Sequence, residues 1–237
     1  MAFLQSGQGR EPFLRAPPAV LTLIAAIVAA HVARMLTTTA VSERILGEYA
    51  FIPLRYSTHA LDPGNWFERA VPFVSYMFLH ADLTHLAINC LWLLAFGSIV
   101  ARRFGTGLFL LFFLVCGIAS VAVHLAFNWE SAAMVLGASG AISGLMAAGI
   151  RMLSVPGLSA SAMRPGLASI LSPQVVVFSL FWVAINLVFG AVGFSIGGET
   201  QPIAWEAHLG GYFAGLLLVG PFDRWARSGG GDLPGMA

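Results

Sequence analysis

The sequence predicts an all-α polytopic membrane protein with six transmembrane helices and a long first outer loop. Hydrophobic residues make up 58% of the 237 residues and charged residues only 10%, against about 25% charged residues in an ordinary globular protein. A soluble chain needs more polar groups than this to cover its surface. The chain also contains apolar runs of the length, roughly 20 residues, that crosses a bilayer core as a helix.

Six such runs follow one another along the chain. They cover residues 17–36, 82–100, 106–127, 134–152, 173–194 and 203–222. The first run, preceded by Arg10 and Arg15, also has features of a signal peptide, but the five runs that follow it favour an uncleaved helix. The predicted organisation is therefore an N-terminal tail (1–16), one six-span domain (17–222) and a flexible C-terminal tail (223–237).

The charge distribution predicts the orientation of these spans. Six spans place both termini on one side, and eight of the twelve Arg residues then fall in the two tails and the second and fourth loops. Because Arg and Lys accumulate in cytoplasmic loops, both termini are predicted to be cytoplasmic. The chain contains no Lys and has a net charge of +1, which argues against nucleic-acid binding. An Arg-only, Ala- and Gly-rich composition favours a bacterial inner (cytoplasmic) membrane.

The first outer loop, residues 37–81, is much longer than most connections between helices. It carries the segment FIPL together with Trp66, Phe67 and Val71 among its charges. We expect it to be a folded and partly membrane-embedded element. The two cysteines, Cys90 and Cys116, lie inside apolar runs, so no disulfide framework is indicated.

Three polar clusters fall within or beside the apolar runs, where ionisable side chains are costly and indicate a functional site. They are HADLTHLAIN with His80, His85 and Asn89, LGASGAISG with Ser139 and Ser143, and WEAHLGGYFAG with His208. By contrast, Asn186 and His124 are interpreted as packing or interfacial residues, and His31 and His59 carry no supporting pattern.

The spacing within the first cluster predicts a shared helix face. His85 and Asn89 are four residues apart and therefore point into the same space. Asp82 stands three residues before His85 and is placed to cap the helix through its backbone N–H groups. His80 then belongs to the incoming loop.

Glycines predict that the other two clusters meet. Small residues four apart let helix backbones approach closely in a membrane, and this pattern occurs twice. Five glycines are expected to shape the site: Gly137, Gly140, Gly144, Gly211 and Gly215. The close approach would bring Ser139 within hydrogen-bond reach of His208. A serine, a neighbouring imidazole as base and amide or imidazole donors are the parts of an acyl-transfer site.

Other membrane chemistries fit these residues less well. The motif HExxH is absent, and a metal site formed by His80, His85 and His208 is a minor alternative. No pair of acids lies mid-span, which disfavours an aspartyl protease and a proton-coupled carrier. A channel or carrier whose polar residues line a pathway stays open as a further alternative.

Taken together, HADLTHLAIN, GASG and AHLGGYFAG resemble the rhomboid family of intramembrane serine proteases. The three motifs stand in this order on the second, fourth and sixth predicted spans, and the looser resemblance covers about residues 17–222. It implies that Ser139 is the nucleophile and His208 its general base, a dyad without an orienting acid. It also implies that His85, Asn89 and the backbone N–H of Ser139 form the oxyanion hole.

The resemblance carries further expectations. His80 matches the histidine that braces the first loop, and the family's water-filled cavity would open to the outer side. Substrates would be single-span membrane proteins in the lipid bilayer, with no metal or organic cofactor, and the oligomeric state is left open. A non-catalytic rhomboid-like protein that binds membrane helices is the principal alternative, although such relatives typically lack the Ser or the His.

Two positions depart from the family pattern. The family often has an aromatic residue four positions after the nucleophile, stacked on the catalytic histidine, and here that position is Ser143. Another ring such as Trp182 would then hold His208. The loop motif that pairs Trp with Arg is reduced to WFERA, with Arg69 three residues after Trp66. Ser143 lacks a preceding Gly and is a weak rival nucleophile.

Overall fold

The chain is helical through almost all of the part that the computed structural model describes, which is residues 16–58, 60, 64–154, 166–195, 200–201 and 204–228. The exceptions are connecting loops and a pair of antiparallel two-residue strands, β1 (Phe194–Ser195) and β2 (Thr200–Gln201). The predicted N-terminal tail and most of the predicted C-terminal tail lie outside the described residues, as does His59.

The helices agree with the predicted apolar runs in position. The α-helices are α1 (Pro18–Met35), α2 (Thr39–Tyr49), α3 (Trp66–Ala70), α4 (Pro72–Ser75), α5 (Leu83–Trp92), α6 (Ser98–Phe127), α7 (Ser139–Leu153), α8 (Pro173–Val192) and α9 (Trp205–Ser228). A π-helical segment, Leu93–Gly97, joins α5 to α6 without interruption. The turn between the second and third predicted spans falls at Gly105, whose φ of 75° and ψ of 172° break α6.

Among the described residues, three helical stretches are long and apolar enough to cross a membrane by length and composition: Pro18–Met35, Leu83–Phe127 and Pro173–Val192. The 45-residue stretch contains the Gly105 break and so comprises two of the predicted spans. Helix α7 is a shorter apolar helix. The chain is thus a helical membrane protein, while the count of six spans stays a prediction.

Two predicted boundaries are wrong. The fourth span was expected to begin at residue 134, but α7 begins at Ser139, because Val135 instead pairs its backbone with Phe51 and Gly137 has a φ of 109°. The tail was expected to begin at residue 223, but α9 continues to Ser228. Asp223 accepts hydrogen bonds from Arg227 one turn later in the same helix, which supports the extra turn.

The long first loop contains α2, α3, α4 and two 3₁₀ helices, Pro53–Tyr56 and Tyr76–Phe78. It docks on the rest of the protein through aromatic residues. Phe51 is fully buried, and the Tyr76 hydroxyl donates to the Gly117 carbonyl at 2.8 Å. The Tyr76 carbonyl in turn accepts from the N–H of Gly137 at 2.9 Å. The loop therefore packs directly against the segment that leads into α7.

Helix α7 lies at the centre of the bundle, with eleven of its fifteen residues buried. Glycine pairs bring it against α9: a Cβ on Gly211 would overlap the Gly140 carbonyl, and one on Gly215 would overlap the Gly144 carbonyl. The predicted close approach of two small-residue faces is thus present. No side chain larger than hydrogen fits between the two backbones at these levels.

The two ends of the bundle differ in chemistry. At one end the Arg103 guanidinium binds Asp223 through two hydrogen bonds, of 2.6 and 3.0 Å, and Arg151 donates to the Leu216 carbonyl at 2.9 Å. The first turns of α7 and α9 meet at the opposite end. Both helices therefore run from the predicted site towards the arginine-rich end.

Enlarging a glycine at the α7–α9 contact is expected to destabilise the protein. Gly211→Ala should lower the free energy of unfolding by about 1–3 kcal/mol, because the added methyl group has no space and the backbones must separate. Thermal unfolding in detergent measures the change. The matched control is Gly107→Ala, since a Cβ at Gly107 would have no neighbour within 4 Å. Equal unfolding temperatures for the two variants would contradict the packing argument.

Candidate active site

Ser139 is the first residue of α7. The preceding Gly137 has a φ of 109°, a conformation that favours glycine, and this turn delivers Ser139 to the helix start. Ala138 occupies the N-cap position and supplies no side-chain cap. Because the first N–H groups of a helix have no partner within the helix, the turn that contains Ser139 presents uncapped donors beside its hydroxyl.

His208 lies in the first turn of α9, one helical turn before Gly211. Its Nε2 is 2.8 Å from the Ser139 hydroxyl oxygen, across 69 residues of sequence. The contact predicted from the glycine pattern is therefore present in the structure. Both residues are partly buried.

His208 has a second partner that the sequence analysis missed. The Oδ1 of Asn186, in α8, is 2.7 Å from Nδ1 of His208, and the Asn186 amide nitrogen donates to the Trp182 carbonyl at 2.8 Å. The interpretation of Asn186 as an ordinary packing residue was wrong. The available signal was a single carboxamide in an otherwise apolar span, where polar side chains usually find a partner on another helix.

His85 and Asn89 share one face of α5, and Asp82 caps this helix as predicted, accepting from the His85 N–H at 2.8 Å. A Cβ on Gly137 would lie 2.7 Å from Cε1 and Nε2 of His85 and 3.8 Å from the Ser139 hydroxyl oxygen. The imidazole edge and the hydroxyl therefore both lie beside Gly137, where His85 leaves no room for a side chain.

Asn89 is 3% exposed, and its amide nitrogen donates to the His85 carbonyl one turn earlier at 2.8 Å. An amide nitrogen carries two hydrogens, so this bond leaves the second N–H of Asn89 unassigned. The Oδ1 of Asn89 meets no hydrogen-bond partner in the part of the chain that the structure describes.

His80 belongs to the loop before α5, as expected, and is completely buried. Its ring packs edge-on against the ring of His85, with 5.1 Å between the centroids, and its carbonyl accepts from the Arg34 guanidinium at 2.7 Å. Burial, reinforced by His85 and His31, lowers the pKa of His80 to about 3, so the ring is neutral at pH 7. His80 thus connects Arg34 of α1 to the ring of His85.

The position that departs from the family pattern does not contact His208. The Ser143 hydroxyl donates to the Ser139 carbonyl at 2.8 Å and is 1% exposed, which is the common arrangement of a serine inside a membrane helix. Trp182 stacks on Tyr212, with ring centroids 6.3 Å apart, and its carbonyl accepts from the Asn186 amide. The contact that the structure records at Nδ1 of His208 is the amide oxygen of Asn186, and support of His208 by a ring stays a prediction.

His124, which was interpreted as a packing or interfacial residue, has a carboxylate partner in the first turn of α9. His124, at the end of α6, is 3.5 Å from the Glu206 carboxylate and 6% exposed. Within the described part of the chain, no group of three or more His, Cys, Asp or Glu side chains is arranged to hold a metal ion. The alternative of a three-histidine site formed by His80, His85 and His208 therefore has no support in the geometry.

Two curated relatives share sequence with this chain. One is the rhomboid protease GluP of Bacillus subtilis (strain 168), 32% identical over 165 residues, which are 68% of this chain and 28% of the relative. Another is the mitochondrial RHOMBOID-like protein 6 of Arabidopsis thaliana, 30% identical over 160 residues, which are 64% of this chain and 45% of the relative. The chain thus spans less than half the length of either relative.

The rhomboid domain model matches residues 67–223. This range begins within α3 and contains α5, α7 and most of α9, with all the residues of the serine–histidine site. It covers well over half of the chain, and the matched region agrees with the three motifs found in the sequence. The chain belongs to the rhomboid family.

Proposed function

We propose that this protein is an intramembrane serine protease in which Ser139 attacks the substrate and His208 acts as its base. The observation that carries the proposal is the 2.8 Å contact between the Ser139 hydroxyl and Nε2 of His208. A serine hydroxyl is a weak nucleophile until a neighbouring base removes its proton, and neutral imidazole is suited to that role.

In the proposed reaction, Nε2 of His208 takes the hydroxyl proton as the Ser139 oxygen bonds to the peptide carbonyl carbon. The carbonyl oxygen then carries a negative charge. His208 returns the proton to the leaving amine as the C–N bond breaks, which leaves an acyl ester on Ser139. Water repeats the sequence with His208 as base and releases the carboxylic acid, so that Ser139 is regenerated.

The proposed oxyanion hole consists of the Ser139 N–H and the side chains of His85 and Asn89. The absence of a side-chain cap on α7 supports the first of these donors, because a helix N-terminus carries partial positive charge and free N–H groups. The His85 ring lies beside Gly137, on the same side as the Ser139 hydroxyl. Asn89 can keep its bond to the His85 carbonyl and use its second N–H for the oxyanion.

The proposed substrates are single-span membrane proteins, cut in or near the outer end of their transmembrane segment. A helix hides its carbonyl groups in hydrogen bonds, and in lipid these bonds are costly to break. Ser139 lies at a helix start, at the end of the bundle opposite the Arg103–Asp223 pair. Substrates that unwind easily near this end should therefore be cut preferentially.

We propose the orientation predicted from the arginines, with both termini cytoplasmic, and a bacterial inner membrane as the location. Arg103, Arg151 and Arg227 gather at one end of the described bundle through their bonds to Asp223 and Leu216. This end corresponds to the predicted cytoplasmic side. The serine–histidine pair then faces the outer side of the membrane.

Replacement of the proposed nucleophile should abolish both labelling and cleavage. A fluorophosphonate probe should label the detergent-solubilised wild type but neither Ser139→Ala nor His208→Ala. The first variant lacks the nucleophilic oxygen, and the second lacks the base that activates it. Ser143→Ala is the matched control, since this serine lies one turn further along the same helix and bonds to a carbonyl; it should keep labelling and cleavage. Equal labelling of Ser139→Ala and wild type would reject Ser139 as the reactive residue.

Loss of the amide donor should slow turnover more than it weakens substrate binding. Asn89→Ala is expected to lower kcat about 10²- to 10³-fold, the usual effect of removing one oxyanion donor, with little change in KM. Steady-state cleavage of a model transmembrane substrate separates the two constants. A change confined to KM would contradict the assignment of Asn89 to the oxyanion hole.

Helix stability in the substrate should control the rate. A model single-span substrate with Gly or Pro near its outer end should be cut faster than a matched one with Leu at those positions, because less helix must be unwound. Mass spectrometry of the products maps the cut. Equal rates for both substrates, or a cut at the cytoplasmic end, would contradict the proposed substrate class and orientation.

A further inference from the structure

Asn186 lies in a helix that otherwise contributes little to the core. Within α8 only Val175 and Asn186 are buried, and Asn186 is 4% exposed. A buried carboxamide is costly unless its oxygen and nitrogen are both bonded. Asn186 has both bonds, one to the Trp182 carbonyl and one to His208. What needs an explanation is the presence of a carboxamide at this position in an apolar helix.

The bond to Trp182 determines which way the amide faces. The Trp182 carbonyl, 2.8 Å away, can only accept, so the NH₂ group of Asn186 must face it and Oδ1 must face His208. Reversing the amide would set two carbonyl oxygens against each other. Oδ1 lies 2.7 Å from Nδ1 of His208 and can only accept a hydrogen bond.

The acceptor in turn determines the tautomer of the imidazole. A neutral imidazole carries one proton, and a hydrogen bond to Oδ1 of Asn186 requires that proton on Nδ1. The Nε2 atom then has a free lone pair, and it is this atom that lies 2.8 Å from the Ser139 hydroxyl. The three hydrogen bonds thus run in one direction. The Ser139 hydroxyl donates to Nε2 of His208, Nδ1 of His208 donates to Oδ1 of Asn186, and the Asn186 amide donates to the Trp182 carbonyl.

We propose that Asn186 is a positioning residue that holds His208 in the tautomer and orientation in which Nε2 can accept the Ser139 proton. This inference rests on the proposed function. In soluble serine proteases a carboxylate holds the histidine, but a carboxylate is costly inside a membrane. An amide performs the orienting role without a charge, at a site where Ser143 supplies no ring to stack on His208.

The tautomer itself is the readout that a merely structural role would not change. In the full-length, detergent-solubilised protein labelled with ¹⁵N-histidine, the signals lost in His208→Ala identify His208. We expect the wild type to carry the neutral-ring proton on Nδ1. In Asn186→Leu it should move towards Nε2, the tautomer that free histidine favours. A wild-type His208 ring protonated on Nε2 would overturn the proposal.

The kinetic expectation is a loss of turnover without a loss of substrate affinity. Asn186→Leu should lower kcat roughly tenfold to hundredfold, with KM little changed, because only the orientation of the base is impaired. Unchanged kcat in folded Asn186→Leu would overturn the proposal.

Ser179→Ala is the matched control for helix packing. The Ser179 hydroxyl joins the same two helices, α8 and α9, through a 2.8 Å hydrogen bond to the Tyr212 hydroxyl, away from His208. This variant should keep the wild-type tautomer and kcat. If it lowers kcat as much as Asn186→Leu does, the effect belongs to the α8–α9 contact and not to the orientation of the ring.

Failure of this inference can be told apart from failure of the proposed function. Cleavage that depends on Ser139, combined with a His208 ring protonated on Nε2, contradicts the role of Asn186 alone. An Nδ1-protonated ring in a protein whose cleavage survives in Ser139→Ala supports the positioning of the ring and contradicts the proposed nucleophile.

Discussion

The site depends on how closely two helix backbones can approach. Gly140 and Gly144 on α7 face Gly211 and Gly215 on α9, and a single added carbon would overlap a carbonyl on the opposite helix. In lipid, where the hydrophobic effect does not drive helices together, such backbone contact is a main source of association. Ser139 adjoins Gly140, and His208 precedes Gly211 by one turn. The packing of the helices therefore sets the 2.8 Å separation of the hydroxyl and the imidazole.

The helix starts give the site its electrostatic character. The first turn of α5 carries a side-chain cap, Asp82, whereas the first turn of α7 carries none. The donors at the start of α7 consequently remain available next to Ser139, and the partial positive charge of the helix end points to the place where an oxyanion would form. The strong ion pairs of Asp223 with Arg103 and Arg227 lie at the far end of the bundle. The ion pairs and the proposed catalytic site thus lie at different ends of the bundle.

Local sequence patterns predicted much of this arrangement. The four-residue spacing of His85 and Asn89 and the cap at Asp82 depend only on helix geometry, and the structure has both. The start of α7 could not be found in this way, because it follows from a backbone pairing between Val135 and Phe51, which are far apart in the chain. The bond between Asp223, in the extended end of α9, and Arg103, 120 residues away in the chain, likewise lies outside any local pattern.

The sequence by itself determined that the protein lies in a membrane and which polar residues stand out there, because hydropathy and motif spacing are properties of neighbouring residues. It also indicated the partnership of Ser139 and His208 through two repeated glycine patterns. Only the tertiary structure revealed Asn186 as the second partner of His208. One asparagine in an apolar helix has no periodicity to mark it, and its direction depends on how α8 is rotated against α9. That rotation is a matter of packing between helices, which no single segment encodes.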